Sequence, residues 1–258
     1  MQRTVLVHYH IFKNAGTSFN HALEQAFGER FLEYDLPGGH VINSEMLKMF
    51  ILMHPTMVAV SGHHIAMPTS ETEEIQVISS VLLRRPLSRI RSIYEFERQQ
   101  RSRTDGAVMA KELDFKQFVV WRLETAPIVF CDYQTHYCSR TQLLDPKYRP
   151  LEADFQLAVT NLEKTTIVGT VERYNEMLRL AQKQLRVAFD NQDINLESVF
   201  LNTTSKGITP DAVIRQDLVE YLGEEIVSQI EDMNQFDERL YQLANARMDT
   251  DLQDNEAA

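Results

Sequence analysis

The segment His10-Ile11-Phe12-Lys13-Asn14-Ala15-Gly16-Thr17-Ser18 places a lysine, a glycine and two hydroxyl side chains between an apolar strand pattern and a helical one. That order suits an anion. A helix start offers N–H groups without intrahelical partners and a partial positive charge. Lys13 adds a full charge, Gly16 lets the backbone come close to a phosphate, and Thr17 and Ser18 add donors. Two further clusters can complete a reaction centre. Arg84 and Ser92 suit a second phosphate, because the guanidinium fork matches phosphate oxygens. His63 and His64 suit proton transfer, since an unperturbed imidazole titrates at about 6.5. The lysine precedes the glycine, so this is not the standard nucleotide loop G-x-x-x-x-G-K-[ST]. Taken alone, the segment also fits an ordinary strand-to-helix turn whose lysine points into water.

The elements that must position these residues follow from hydrophobic periodicity. Residues 4–9 are short, β-branched and apolar, a buried strand pattern. Residues 17–27 carry Phe19, Leu23, Ala26 and Phe27 at helical spacing, with Thr17 or Ser18 as the expected cap. Residues 57–60, 76–83 and 165–169 read as further strands. Helices are expected over residues 44–52, 86 to about 100, 115–124, 151–162, 176–189, 210–222 and 224–246. Residues 101–106 read as a loop and 132–148 as irregular. Strands alternating with helices predict an α/β chain: a P-loop-type three-layer fold with a central, mainly parallel sheet flanked by helices. One domain is expected over residues 1–247, with 248–258 as a disordered acidic tail. Ligands in such folds bind beyond the carboxyl ends of strands, where Lys13, His63-His64 and Arg84-Arg85 all fall.

In that arrangement the sequence resembles the sulfotransferases, in particular the membrane-type carbohydrate enzymes and, within them, the glycan 2-O-sulfotransferases. Residues 10–19 look like the family's 5′-phosphosulfate-binding loop, a lysine followed by small residues and Thr-Ser-Phe. Residues 83–92 resemble the 3′-phosphate motif: Arg84, Pro86, Arg89 and Ser92 fall on it, and Arg85 replaces the usual aspartate. Ser61-Gly62-His63-His64 resembles a His-Gly-His element; His63 falls on its second histidine and Ser61 replaces its first. Gln134-Thr135 through Ser139 resembles a Gln-Thr-Arg-x-Leu-Ser element, with His136 where arginine is common, and residues 167–173 resemble a Val-Gly-x-x-Glu-Arg strand end. Residues 202–207 (NTTSKG) look like a late loop that closes over the nucleotide, bringing Lys206 and Gly207 to the donor. Residues 234–244 resemble the family's closing helix, with Asp237 and Tyr241 in family-like places and structural in role. The resemblance implies transfer of a sulfuryl group from 3′-phosphoadenosine 5′-phosphosulfate (PAPS) to a hydroxyl acceptor, a carbohydrate. It implies Lys13, Asn14, Ala15, Gly16, Thr17, Ser18, Arg84, Ser92, Lys206 and Gly207 at the donor, His63 as base with His64 in reserve, and no metal. The competing readings are a P-loop kinase-like phosphotransferase using ATP and magnesium, and a non-catalytic nucleotide-binding module.

Composition bounds these readings. The 258 residues are 43% hydrophobic, enough for one substantial core. The formal net charge of -11 argues against nucleic acid as a partner, which needs a broad basic face, and favours a neutral or lightly charged glycan or small alcohol. The two cysteines, Cys131 and Cys138, have no zinc-type spacing and are expected to be reduced thiols. No apolar stretch approaches the roughly 18–20 residues that span a bilayer. The expectation is a cytoplasmic protein, or the soluble part of a trimmed membrane-anchored enzyme.

Overall fold

The structure, a computed structural model, describes residues 2–139, 145–190, 193–196 and 211–257. Its centre is a five-stranded, wholly parallel sheet of β1 (Arg3–Tyr9), β2 (Phe31–Glu33), β3 (Ala59–Gly62), β4 (Ile75–Leu83) and β5 (Ile167–Thr170), in the order β2-β3-β1-β4-β5. The helices are α1 (Gly16–Phe27), α2 (Ser44–Met53), α3 (Pro86–Gln99), α4 (Asp105–Glu112), α5 (Phe115–Thr125), α6 (Tyr133–Ser139), α7 (Glu152–Glu163), α8 (Tyr174–Ala188), α9 (Asp211–Leu222), α10 (Glu224–Asp232) and α11 (Gln235–Ala257). This is the expected three-layer α/β architecture. None of the helices among the described residues is long and apolar enough to cross a membrane.

Because successive side chains of a strand point to opposite faces, β1 feeds two cores. Val5, Val7 and Tyr9 pack with Leu47 and Ile51 of α2, Phe155 of α7 and Leu240 of α11. Leu6 packs on the other face with Phe19 and Leu23 of α1, Met177 of α8 and Met248 of α11. A third cluster joins Ile90 and Ile93 of α3, Phe118 of α5, Leu218 of α9 and Val227 of α10. The chain leaves β1 toward the β3 side of the sheet and leaves β4 toward β5. The point where the connections diverge therefore lies at the carboxyl ends of β1 and β4, the position at which such folds bind ligands.

The structure departs from the sequence expectations at six places. β2 and α4 were not foreseen; β2 is too short to show a period, and α4 begins inside a polar stretch, where Thr104 caps it by accepting from the Ala107 N–H. The stretch expected to be irregular contains α6. The long helix expected over 224–246 breaks into α10 and α11 around Asn234, whose side chain donates to Ile230 O and accepts from the Asp132 N–H. Neither Thr17 nor Ser18 caps α1: the cap is Ala15, in the left-handed region at φ 57°. The acidic end is no frayed tail. α11 continues through it to Ala257, with Met248 buried against Thr170 and Asp249 paired to Arg173 at 2.7 Å.

That last difference gives a stability prediction. Met248→Ala should cost about 2–5 kcal/mol, the range for emptying a buried methionine site, measured by urea denaturation. An unchanged midpoint would return the end of the chain to a solvated tail.

Candidate functional site

The loop between β1 and α1 holds two non-glycine residues with left-handed backbone, Lys13 at φ 65° and Ala15 at φ 57°. Such conformations cost of order 1–3 kcal/mol each and persist only where the surroundings impose them. Here the imposing groups are side chains from other segments. His63 Nδ1 donates to His10 O at 2.9 Å, Arg89 Nε to Phe12 O at 3.1 Å, and Arg84 Nη1 to Lys13 O at 3.0 Å. Asn14 Nδ2 reaches across to Leu82 O at 2.9 Å and to Gln134 Oε1 at 2.6 Å. The loop carbonyls of His10, Phe12 and Lys13 are thus occupied, and the N–H groups of Gly16 and Thr17 precede the first bonds of α1, which Ser18 and Phe19 make to Ala15 O.

Gly16 has a different role from the one its sequence context suggests. A Cβ there would lie 2.0 Å from His10 Cδ2, so the glycine makes room for an imidazole, not first of all for a phosphate.

The cations gather at this loop. Arg84 directly follows β4, and Arg89, at 1% exposure, lies inside α3 with its guanidinium 4.3 Å above the Tyr133 ring. Among the described residues, Arg84 Nε and Arg89 Nη2 are buried donors without a hydrogen-bond partner, which is unusual for buried polar groups. Lys13 Nζ rests 4.2 Å above the Phe96 ring. Burial first, and then the charges of Arg84 and Arg89, push the Lys13 ammonium down to about 8. A lysine lowered by burial and then by two neighbouring arginines is a cation that a bound anion would stabilise.

The histidines form a row on the same side. The His10 and His63 rings are 3.9 Å apart, and the His8 and His10 rings 5.8 Å. Burial pushes His8 down to about 3 and His10 to about 2, so both are neutral spacers. His63 is also pushed below its ordinary value, by burial first, with the Asp35 charge partly offsetting it. Since a carbonyl only accepts, the His10 bond puts the hydrogen on His63 Nδ1 and makes Nε2 the basic nitrogen. His64 points elsewhere. Its Nδ1 pairs with Asp35 Oδ1 at 2.9 Å, and its Nε2 lies against Gly39.

Of the residues expected at the donor, the structure brings together Lys13, Asn14, Ala15, Gly16 and Arg84. Ser18 is buried in the first turn of α1, whereas Thr17 is exposed there. Ser92 is half-buried on α3, with no bond tying it to Arg84. Lys206 and Gly207 lie outside the described residues. Arg85, in the place of the resembled family's aspartate, turns away to lie 5.2 Å over the Tyr241 ring, while its N–H donates to Glu172 Oε1. Arg89 and Gln134 fall on segments of the sequence resemblance, residues 83–92 and 134–139, but neither was expected at the donor itself. Their place in the site comes from burial and from their bonds to the loop and to residue 84.

No protein-family model matches the chain. It is 30% identical over 197 residues to an uncharacterized protein of Archaeoglobus fulgidus, in an alignment covering 73% of this chain and 76% of that one.

The Lys13 environment yields a direct test. Its ammonium should titrate near 8 in NMR of the labelled lysine, and inorganic pyrophosphate should move that titration upward. Between about 8 and the unfolded lysine value the unfolded chain holds a proton the folded chain has lost, so this group makes stability rise with pH across that window. An ordinary lysine titration, unmoved by pyrophosphate, would remove Lys13 from the anion site.

Proposed function

The chain belongs to the family of that Archaeoglobus fulgidus protein, and we propose that it is a sulfotransferase that moves a sulfuryl group from PAPS to a hydroxyl of a neutral or lightly charged glycan. The observation that carries this reading is the join at the carboxyl ends of β1 and β4. Arg84 hydrogen-bonds the Lys13 carbonyl, so a cation after β4 and a cation before α1 belong to one built cluster with two unpartnered buried donors. A donor with phosphates at the 3′ and 5′ positions of one ribose matches two adjoining cationic points.

In this reading each residue has a stated task. Lys13 and the first N–H groups of α1 hold the 5′-phosphosulfate and stabilise the charge that grows on its bridging oxygen. Arg84 holds the 3′-phosphate. His63 Nε2 takes the proton of the acceptor hydroxyl while the acceptor oxygen–sulfur bond forms and the bond from sulfur to the bridging oxygen breaks. The products are a sulfate ester and adenosine 3′,5′-bisphosphate, with the proton left on His63. The His10 carbonyl fixes the tautomer this needs, so the loop that holds the donor also aims the base.

Adenosine 3′,5′-bisphosphate at about 100 times its dissociation constant should stabilise the fold by roughly 2.7 kcal/mol, read as a thermal shift, with magnesium-ATP giving none. The reverse pattern would favour a kinase-like phosphotransferase. With labelled donor and a panel of glycans, Lys13→Ala should abolish transfer. His63→Ala should lose about 10²–10⁴-fold in rate at unchanged bisphosphate affinity; damage from His64→Ala instead would move the base. The pH profile of kcat/KM should rise through an acid limb below about 6.5, where His63 loses its proton, and fall near 8, where Lys13 loses its charge.

A further inference from the structure

We propose that Gln134 is a positioning residue that locks the two halves of the donor site to each other; this rests on the reading of that site given above. Its side chain is 0% exposed, so it does not reach a ligand and acts through its neighbours. A carboxamide has two lone pairs and two N–H donors, and all four are used. Oε1 accepts from the Arg84 N–H at 2.7 Å and from Asn14 Nδ2 at 2.6 Å. Nε2 donates to Arg84 O at 2.7 Å and to Asp237 Oδ2 at 3.2 Å.

The first and third of these bonds pair the carboxamide with both backbone groups of residue 84, as a neighbouring peptide would. The second ties in the loop before α1. The fourth anchors the side chain to α11. Gln134 is itself held at the backbone, because the Asp237 carboxylate accepts the N–H groups of Gln134 at 3.0 Å and Thr135 at 2.7 Å. Asp237 N–H in turn donates to Asp132 Oδ1 at 2.9 Å. Each of two helix starts, α6 and α11, is thus met by an aspartate from the other segment, and the paired helices present one glutamine to residue 84 and the loop before α1. Glutamate at 134 would lose both donors and face the Asp237 carboxylate, so the amide is required, not merely a polar side chain.

The test is a double-mutant cycle with adenosine 3′,5′-bisphosphate affinity as the readout, by calorimetry, on Gln134→Met, Arg84→Ala and the double variant. Gln134→Met should weaken binding about tenfold in the otherwise intact chain, and by less than about threefold once Arg84 is alanine, the non-additivity expected of coupled neighbours. A purely structural role predicts the same factor on both backgrounds, and that result overturns the inference, as does an unchanged affinity in Gln134→Met. If Gln134→Met does not fold, Gln134→Asn, which keeps the amide and withdraws it by one carbon, carries the same cycle. A wild-type chain that binds no bisphosphate overturns the donor-site reading and this inference with it. Binding by the wild type with equal factors overturns the role of Gln134 alone.

Discussion

Three side chains from three places in the fold end on three carbonyls of one loop: His63 on His10, Arg89 on Phe12 and Arg84 on Lys13. The loop contains two left-handed non-glycine residues and would not hold that shape on its own. What the strands and helices around it accomplish is to deliver those three donors. β3 ends one residue before His63, β4 ends one residue before Arg84, and α3 carries Arg89 inward. The parallel order of the sheet, with β1 between β3 and β4, is what lets both neighbours reach the same loop.

The electrostatic consequence is a local reversal of the chain's overall sign. A protein of formal charge -11 gathers Lys13, Arg84 and Arg89 within mutual influence and buries them deeply enough to depress all three. Such an arrangement is costly without a counter-charge. Glu172 and Glu95 offset part of the cost at Arg84. The carbonyl bonds satisfy much of the rest, leaving Arg84 Nε and Arg89 Nη2 buried without a hydrogen-bond partner. In the proposed reaction the His10 carbonyl that fixes the His63 tautomer would tie the base to the donor loop, so both halves share one piece of backbone.

Much of this was legible in the sequence, for a definable reason. β1, β3 and β4 are short apolar runs that can be read locally, and Lys13, His63 and Arg84 follow their ends, so position and chemistry could be read together. The misreadings share the opposite cause. α6 exists because an aspartate about a hundred positions away meets its first N–H groups, and no local pattern announces that. Gln134 stands in a stretch expected to be irregular, within a segment that resembles a family element, and its bonds appear only when Asn14, Arg84 and Asp237 are brought to it. Gly16 was read as making room for a phosphate, whereas the neighbour it accommodates is the His10 ring. The acidic end looked solvated because residues 248–258 carry four acidic residues and no basic one, yet a buried Met248 fastens it to the sheet.

The account's central claim is that Lys13 and the start of α1 grip the 5′-phosphate of a doubly phosphorylated adenosine while Arg84 grips the 3′-phosphate. A crystal structure with adenosine 3′,5′-bisphosphate bound tests it most directly. The account predicts the 5′-phosphate within hydrogen-bond distance of Lys13 Nζ and the first N–H groups of α1, and the 3′-phosphate on the Arg84 guanidinium. A ligand seated elsewhere, or one whose 3′-phosphate points into solvent away from Arg84, would contradict it.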